Sequence, residues 1–286
     1  MSLGSGPEAG CPSSCLTVSI QPNLILISLT QQMRHAKVAR HREPRLYVES
    51  RLAPDGTVEL AIGQAHYLRS VLRLDRDAAV AGFNASDGEW LCRVTQIGKS
   101  GGRLVVERQL RLPEPEPDLW LLFAPIKRTR LDWLIEKATE LGVSALLPVW
   151  TARTQSERLN LERLRAHAVA AAEQSERLSV PELRPPARLD HVLATWPPER
   201  HLAVCDETGA GEPIGDAATR LLVGQLAFLI GPEGGFDQTE LDALDKLSFV
   251  TRIGLGPRVL RAETAVLAAL AVFQAIAGDW RRTRNR

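Results

Sequence analysis

The chain has 286 residues, which is enough for one large domain or two ordinary ones. Its hydrophobic content of 44% and charged content of 24% are typical of a soluble globular protein and exclude a disordered or fibrous chain. The formal net charge is only +1, so a role in binding nucleic acid would require basic residues clustered on one face.

Membrane and metal-binding classes find little support in the sequence. No apolar run approaches the ~20 residues that a membrane span requires, and the N-terminus lacks the cationic region of a secretory signal. The four cysteines are sparse, and Cys11 and Cys15 have no second pair of ligands, so we predict no metal site. These features favour a cytoplasmic protein.

The N-terminal part of the chain divides into three segments. Residues 1–43 contain a Gly/Ser/Pro-rich stretch and then a basic one, and we predict a poorly ordered extension. Residues 44–112 consist of short apolar runs separated by the turn signals PDG, SDG and KSGG, which predicts a small β-barrel or sandwich. Within it, QAHYLRSVLRL (64–74) has helical spacing. The three prolines of PEPEPD (113–118) predict a domain linker.

From residue 119 the pattern alternates strands with helices. The continuous apolar run LWLLFAPI is typical of a strand buried on both faces, and ALLPV, HLAVCD, QLAFLIG and FVTRIGL predict further strands. A long helix is predicted over Asn160–Arg177, and Asp237 and Glu240 form a capping box that opens another. We therefore predict an α/β domain with a mainly parallel sheet over residues 119–281, followed by a tail at 282–286.

Two of the predicted strands end in glycine-rich turns, IGPEGGF (230–236) and IGLGPRVLR (253–261). Open parallel sheets bind ligands beyond the carboxyl ends of their strands, and glycine lets backbone N–H groups come close to a ligand. Two such turns favour a ligand site over tight turns alone. Neither matches the phosphate loop of nucleoside triphosphatases, and GAGEPIG (209–215) departs from the dinucleotide fingerprint at its third glycine.

Two arginines, Arg258 and Arg261, stand where the last predicted helix begins. The partial positive charge of a helix N-terminus disfavours cations there. The arrangement becomes favourable if guanidinium and backbone N–H groups share a bound anion. The alternative is that one of these arginines pairs with Glu233 or Glu263.

Other basic residues could form an RNA-binding surface. The cluster PIKRTR begins a predicted helix after a strand and is either an RNA contact or a solvated helix start. The N-terminal half supplies further arginines. The candidate RNA-binding residues are Arg45, Arg69, Arg73, Lys127, Arg128 and Arg130.

The paired motifs IGPEGGF and LGPRVLRAETA resemble the signature of the RsmE family, bacterial small-subunit rRNA uridine-N3 methyltransferases of the SPOUT superfamily. The resemblance extends over the chain from about residue 44 and includes HYLRSVLRL, KRTRLDWLIEKATELGV and AAEQSERLSVPEL. It implies a PUA-like β-barrel over 44–112, then a SPOUT domain over 119–281 whose C-terminal segment forms a trefoil knot. It also implies a homodimer that acts on 16S rRNA of the small ribosomal subunit.

The same resemblance implies S-adenosylmethionine as the cofactor, held largely by main-chain groups of the two glycine-rich turns. The positions assigned to it by the family pattern are Leu229, Ile230, Gly231, Pro232, Glu233, Gly234, Gly235, Leu255, Gly256, Val259 and Leu260.

The implied reaction has a chemical requirement that the residues can be compared with. Uracil N3 carries a proton and is a poor nucleophile until that proton leaves. The site therefore needs a base, for which Glu233 and Glu263 are candidates, or donors that stabilise the developing negative charge. Arg258 and Arg261 suit the second role. The alternatives are a SPOUT enzyme with another acceptor, such as a ribose 2′-hydroxyl, and a non-catalytic RNA-binding protein with the same fold.

Overall fold

A computed structural model describes residues 43–155, 158–221 and 224–281. The extension predicted at 1–43 lies, apart from residue 43, outside the described residues, as does the tail predicted at 282–286. The described residues belong to one compact unit, in which two β-sheets pack together with seven described α-helices.

The N-terminal sheet is built from the short apolar runs of the first half. Its strand order is β1-β3-β4-β5-β2, with β1 parallel to β3 and the other pairs antiparallel. Side chains that alternate along these strands form a separate apolar core. No pairing joins β1 to β2 among the described residues, so closure into a barrel remains a prediction. The strands are β1 (Arg45–Tyr47), β2 (Thr57–Leu60), β3 (Ala79–Asn84), β4 (Gly88–Ile97) and β5 (Gly102–Arg111).

The helix predicted within 64–74 begins earlier and changes its period. Helix α1 covers Ile62–His66 and continues as a π-helical turn over Tyr67–Val71. A π turn inserts an extra residue and rotates the side chains that follow. Leu68 is fully buried, whereas Tyr67 and Val71 are exposed, so the apolar residues of this helical spacing do not share one buried face.

The proline-rich segment 113–118 contains no helix or strand, but it is anchored. The Glu116 carboxylate pairs with Arg177 and accepts a hydrogen bond of 2.6 Å from the Ser179 hydroxyl. Arg177 in turn donates to the Thr139 carbonyl at 2.6 Å. The segment is thus held against the second half of the chain.

The second sheet has the strand order β11-β13-β10-β12-β6-β7-β8, with β9 added beside β7. Every described pairing within it is parallel, which confirms the α/β class and the mainly parallel sheet. The strands are β6 (Leu119–Phe123), β7 (Ala145–Trp150), β8 (Glu182–Leu183), β9 (Ala187–Arg188), β10 (Arg200–Cys205), β11 (Glu212–Pro213), β12 (Gln225–Ile230) and β13 (Val250–Gly254).

Helices cover both faces of this sheet. On one face lie α2 (Arg128–Glu140), α3 (Leu161–Gln174), α5 (Ile214–Arg220) and α7 (Ala262–Ile276), and on the other lie α4 (Leu189–Ala194) and α6 (Gln238–Leu244). Strand β12 serves both cores, because Phe228 faces the first layer and Leu229 the second. This two-sided burial explains why its sequence is continuously apolar. No helix in the described ranges has the length and hydropathy to cross a membrane.

Capping residues set the helix ends. The predicted capping box of α6 is confirmed, since Asp237 accepts a hydrogen bond from Thr239 N–H at 3.0 Å and Glu240 accepts one from Asp237 N–H at 3.0 Å. The helix predicted over Asn160–Arg177 is α3, and the Asn160 side chain caps it by accepting a hydrogen bond from Arg163 N–H. That helix ends before Arg177 because Glu176 takes a φ of 61°, which terminates helical geometry.

Arg45 connects the two halves of the molecule. Its guanidinium donates to the carbonyls of Ala172 and Glu173, both at 2.9 Å, and of Arg177 at 2.6 Å. These carbonyls lie at the C-terminal end of α3, where the helix dipole favours a cation. Glu89 accepts a further hydrogen bond at 2.5 Å, and the Phe83 ring lies 4.0 Å from the guanidinium carbon.

These contacts contradict the RNA-binding role predicted for Arg45. The side chain is only 9% exposed, and its donors are used within the protein. A nucleic acid would have to displace these hydrogen bonds to reach the guanidinium. We therefore assign Arg45 a structural role and leave it out of the RNA-binding surface.

Candidate active site

Four loops meet at the carboxyl edge of the second sheet. Strands β6, β12, β10 and β13 are adjacent and parallel, so the segments that leave them lie at one edge. Backbone hydrogen bonds tie these segments together: Ala124 N–H donates to the Ile230 carbonyl at 3.0 Å and Asp206 N–H to the Ile253 carbonyl at 2.9 Å. The loops cover residues 124–127, 206–211, 231–237 and 255–261.

The loop after β12 requires its glycines for space and for conformation. Gly235 has a φ of 68°, and a Cβ atom there would lie 1.8 Å from Glu207 Oε1. The same oxygen accepts a hydrogen bond from Phe236 N–H at 3.2 Å. A Cβ atom on Gly231 would meet the Phe236 ring at 3.0 Å. At these positions the backbone of the loop contacts its neighbours with no side chain between them. A backbone without side chains can also approach a ligand closely.

Neighbouring side chains fix the position of that loop. Arg153, in the segment after β7, donates to the Gly234 carbonyl at 2.9 Å and lies 3.5 Å from the Asp237 carboxylate. Ala152 N–H donates to Glu240 at 2.8 Å. Leu229 and Ile230, at the end of β12, are buried in opposite cores, so only their main-chain groups are available to a ligand.

The loop after β13 is open to solvent. Gly256 has a φ of 95°, and no atom of the described residues lies within 4 Å of an added Cβ; Val259 is 82% exposed. Leu255 and Leu260 pack partly against the core. Arg258 and Arg261 are exposed, and neither has an ion-pair partner among the described residues. The predicted guanidinium groups are thus available to an anion.

Two backbone segments approach each other closely at the start of β11 and the end of β13. A Cβ atom on Gly211 would lie 2.5 Å from the Ile253 carbonyl carbon and 2.7 Å from Gly254 N. On the other segment, a Cβ atom on Gly254 would lie 3.1 Å from the Gly211 carbonyl oxygen. Glycine at position 211 is therefore needed for β13 to lie beside the chain that leads into β11.

The two carboxylates proposed as bases have different surroundings. Glu233 is exposed. Glu263, in the first turn of α7, is 12% exposed, and its Oε1 lies 3.5 Å from Arg130 Nε. Its other oxygen, Oε2, is buried and has no hydrogen-bond partner among the described residues. Glu263 therefore offers an unshared acceptor in a desolvated position.

A buried ion pair holds the loop after β10. Asp206 accepts hydrogen bonds from Thr208 N–H at 2.9 Å and from Arg252 Nη2 at 2.7 Å. Burial by itself would raise the pKa of the Asp206 carboxyl, but the hydrogen bonds from Thr208 and Arg252 outweigh it and lower that pKa. Burial raises the pKa of the neighbouring Cys205 thiol to about 12, so it is no nucleophile at neutral pH.

The basic residues predicted to bind RNA fall into two groups. Lys127 and Arg128 are exposed at the start of α2, beside the loop after β6, and Arg130 is half-buried. Arg69 and Arg73 lie in the N-terminal half of the chain, Arg69 within the π-helical turn and Arg73 just after it. No group of three His, Cys, Asp or Glu side chains in the described part of the chain could hold a metal ion.

Glu207 and Arg153 were missed by the sequence reasoning. Glu207 directly follows the predicted strand HLAVCD, and this strand-end position was the signal that could have identified it. Arg153 carries no such signal, because its contact is with a loop 81 residues away.

Comparison with known proteins identifies the family of the chain. Residues 113–274 match the family model of the RNA methyltransferase domain. The ribosomal RNA small subunit methyltransferase E of Rickettsia conorii is 34% identical over 230 residues, which cover 79% of this chain and 93% of that protein.

Two solved structures are similar over nearly their full length. One is the ribosomal RNA small subunit methyltransferase E of Neisseria gonorrhoeae bound to S-adenosyl methionine, with 27% identity and a TM-score of 0.76. The other is a methyltransferase from Legionella pneumophila with bound cofactor SAM, with 28% identity and a TM-score of 0.75. Each covers 83% of this chain and 99% of the other. From its motifs, its fold and these relatives, the chain belongs to the ribosomal RNA small subunit methyltransferase E family.

Proposed function

We propose that the protein transfers a methyl group from S-adenosylmethionine to N3 of a specific uridine in 16S rRNA of the small ribosomal subunit. The observation that carries this proposal is the edge formed by the loops 231–237 and 255–261. Bare glycine backbone lies there beside two exposed arginines that have no ion-pair partner among the described residues. At such an edge, main-chain groups can contact a ligand closely and the arginines can stabilise a negative charge.

The residues at this edge fit S-adenosylmethionine. Main-chain groups of 229–235, 255–256 and 259–260 would hold it, and the positive φ of Gly235 and Gly256 exposes backbone that a side chain would cover. Similar proteins that hold this cofactor in their structures support the assignment. When bound, the cofactor supplies an electrophilic methyl group on a sulfonium.

The chain's own residues would prepare the acceptor. Glu263 is better suited than the exposed Glu233 to take the N3 proton, because its Oε2 is desolvated and unshared. Arg258 and Arg261 would stabilise the uracilate oxygens as charge develops. The Watson–Crick edge must be free, so the target uridine has to be unpaired or extruded.

The RNA would extend from this edge over basic surfaces. Lys127 and Arg128 adjoin the site and would bind phosphates, with Arg130 beside them, while Arg69 and Arg73 would hold a more distant segment. A ribosomal substrate also agrees with a cytoplasmic location.

Three finer architectural features belong to the same proposal. The five-stranded sheet within 44–112 would act as a PUA-like RNA-binding domain, joined through 113–118 to a SPOUT domain over 119–281. The close approach of Gly211 and Gly254, with β13 placed between β10 and β11, supports a trefoil knot. A homodimer is supported by the outer side of α7, where apolar residues are only half-buried: Leu267, Ala268, Ala271 and Val272.

The test incubates the protein with labelled S-adenosylmethionine and either small subunits lacking the methylation or naked 16S rRNA, followed by nucleoside analysis. Label in 3-methyluridine is the expected result. Label in a 2′-O-methylated nucleoside would instead support another acceptor. Absence of S-adenosylmethionine binding by calorimetry would favour a non-catalytic RNA-binding protein.

A further inference from the structure

Glu207 occupies a central position that the motifs left unassigned. It is the second residue after β10, the strand that lies between β12 and β13. The two glycine-rich loops leave from those neighbouring strands. Glu207 is exposed, so its carboxylate stands at the carboxyl edge between both loops.

The carboxylate is in direct contact with one of these loops. Its Oε1 accepts the hydrogen bond from Phe236 N–H at 3.2 Å, and Gly235 leaves it the space that a Cβ would fill. A carboxylate has acceptor capacity for several hydrogen bonds. Among the described residues only the Phe236 N–H uses it, which leaves most of this capacity for a ligand.

The residues around Glu207 hold its backbone in place. The buried Asp206 precedes Glu207 in the chain, and Thr208 follows it. The Asp206 carboxylate accepts hydrogen bonds from Thr208 and from Arg252 of β13. Arg252 also donates to the Thr208 hydroxyl at 3.2 Å. This network fixes the turn from which the Glu207 side chain projects, and a preorganised acceptor binds at a lower entropic cost.

We propose that Glu207 binds the ribose hydroxyl groups of the cofactor's nucleoside, an inference that rests on the proposed function. A nucleoside offers two neighbouring hydroxyl donors, and a carboxylate beyond the end of a parallel strand is suited to accept from them. In this arrangement Glu207 orients the nucleoside between the two glycine loops. It takes no part in the methyl transfer itself.

The experiment measures ligand affinity by calorimetry, without turnover. The probes are S-adenosylhomocysteine, 5′-methylthioadenosine and 2′,3′-dideoxy-5′-methylthioadenosine. 5′-Methylthioadenosine keeps the ribose hydroxyls but lacks the amino-acid group. In Glu207→Gln we expect about tenfold weaker binding of both hydroxyl-bearing ligands, since a charge-assisted acceptor is replaced by a neutral one. In the wild type the dideoxy ligand should bind at least about tenfold more weakly, and in Glu207→Ala removal of the hydroxyls should cost nothing further.

Controls separate this inference from a loop effect and from the proposed function. Glu199→Gln changes an exposed carboxylate before the other end of β10 and should leave all affinities unchanged. In Glu207→Gln the side-chain amide oxygen can still accept from Phe236 N–H, so the melting temperature without ligand should stay the same. Unchanged affinity in Glu207→Gln, or a loss confined to S-adenosylhomocysteine, would overturn the ribose assignment. Failure of the wild type to bind any of the three probes would overturn the cofactor site itself.

Discussion

Arg130 pairs with Glu263: the Nε atom of Arg130, in the first turn of α2, lies 3.5 Å from Oε1 of Glu263, in the first turn of α7. The alternative reading of the sequence, in which Glu263 neutralises Arg258 or Arg261, is therefore wrong for Glu263. Both arginines remain exposed without an ion-pair partner in the described residues. A bound anion is the partner that would make their positions at the start of α7 favourable.

Replacement of Arg261 should separate turnover from cofactor binding. In Arg261→Ala we expect kcat to fall about 100-fold, because a donor to the developing uracilate charge is lost. The affinity for S-adenosylhomocysteine should change by less than about threefold. Single-turnover methylation and calorimetry measure the two quantities. Arg281→Ala, beyond the other end of α7, is the matched control and should leave both unchanged. Equal losses of turnover and affinity would remove Arg261 from the catalytic residues.

The loop after β12 should not tolerate a side chain at position 235. Gly235→Ala would introduce a Cβ atom 1.8 Å from Glu207 Oε1 at a φ of 68°. The backbone strain alone amounts to about 1–2 kcal/mol, so we expect at least about tenfold weaker binding of S-adenosylhomocysteine. Gly215→Ala is the control, because no atom in the described part of the chain lies within 4 Å of its Cβ position. Comparable affinities in the two variants would mean that this loop does not form the cofactor site.

The Asp206–Arg252 pair predicts a stability difference that depends on pH. Arg252→Ala leaves the fully buried Asp206 side chain without its charged partner, which should lower the free energy of unfolding by about 2 kcal/mol at pH 7. The folded protein lowers the pKa of Asp206, so this stabilisation is present above the ordinary aspartate value of 3.8 and is lost as the pH falls through the lower folded value. Denaturant unfolding at pH 7 and below pH 4 measures it.

A matched control is available for that pair. Arg220 and Glu212 form a more exposed ion pair, and Arg220→Ala should cost less than about 1 kcal/mol. A difference between Arg252→Ala and the wild type that stays constant down to acidic pH would contradict the assigned role of the Asp206 carboxylate.

RNA affinity should depend on salt through the basic start of α2. Replacing Lys127 and Arg128 together with alanine should reduce the slope of log K against log salt by about 2, because each phosphate contact contributes about 0.9. Filter binding of 16S rRNA fragments across a salt series gives the slope. Arg103→Ala, which removes an exposed arginine paired with Glu59 on the N-terminal sheet, should leave it unchanged. An unaltered slope in the double variant would mean that Lys127 and Arg128 do not contact RNA phosphates.

Local pattern was enough to predict most of the second sheet. The strands β6, β7, β10 and β12 are mostly apolar because they are buried on both faces, and capping side chains mark where α3 and α6 begin. The π-helical turn at Tyr67–Val71 was not predictable, because its spacing also fits an ordinary helix. The short strand β1, three residues long, owes its existence to pairing with β3.

The candidate site could be predicted only where the loop sequence itself is unusual. The glycines of 231–235 and the arginines at 258 and 261 stand out within a few residues of sequence. Arg45 was misassigned for the opposite reason: its partners are Glu89 and carbonyls more than 120 residues away, and no local pattern reports them. Partners that are distant in the sequence determine whether an arginine side chain is exposed to solvent or forms hydrogen bonds inside the protein.

Strand β13 lies between β10 and β11, although it follows both along the chain. The sheet therefore cannot assemble in chain order: one edge of β10 stays unpaired until residues 250–254 pair with it, and pairing over such distances is slow. Because the loop 255–261 leaves from β13, we expect the site to be completed at a late folding step. A ligand that binds this loop would hold the strand in place by mass action. The concentration of the cofactor would then affect more than turnover. It would also affect how long the incompletely paired sheet exposes an edge that can aggregate.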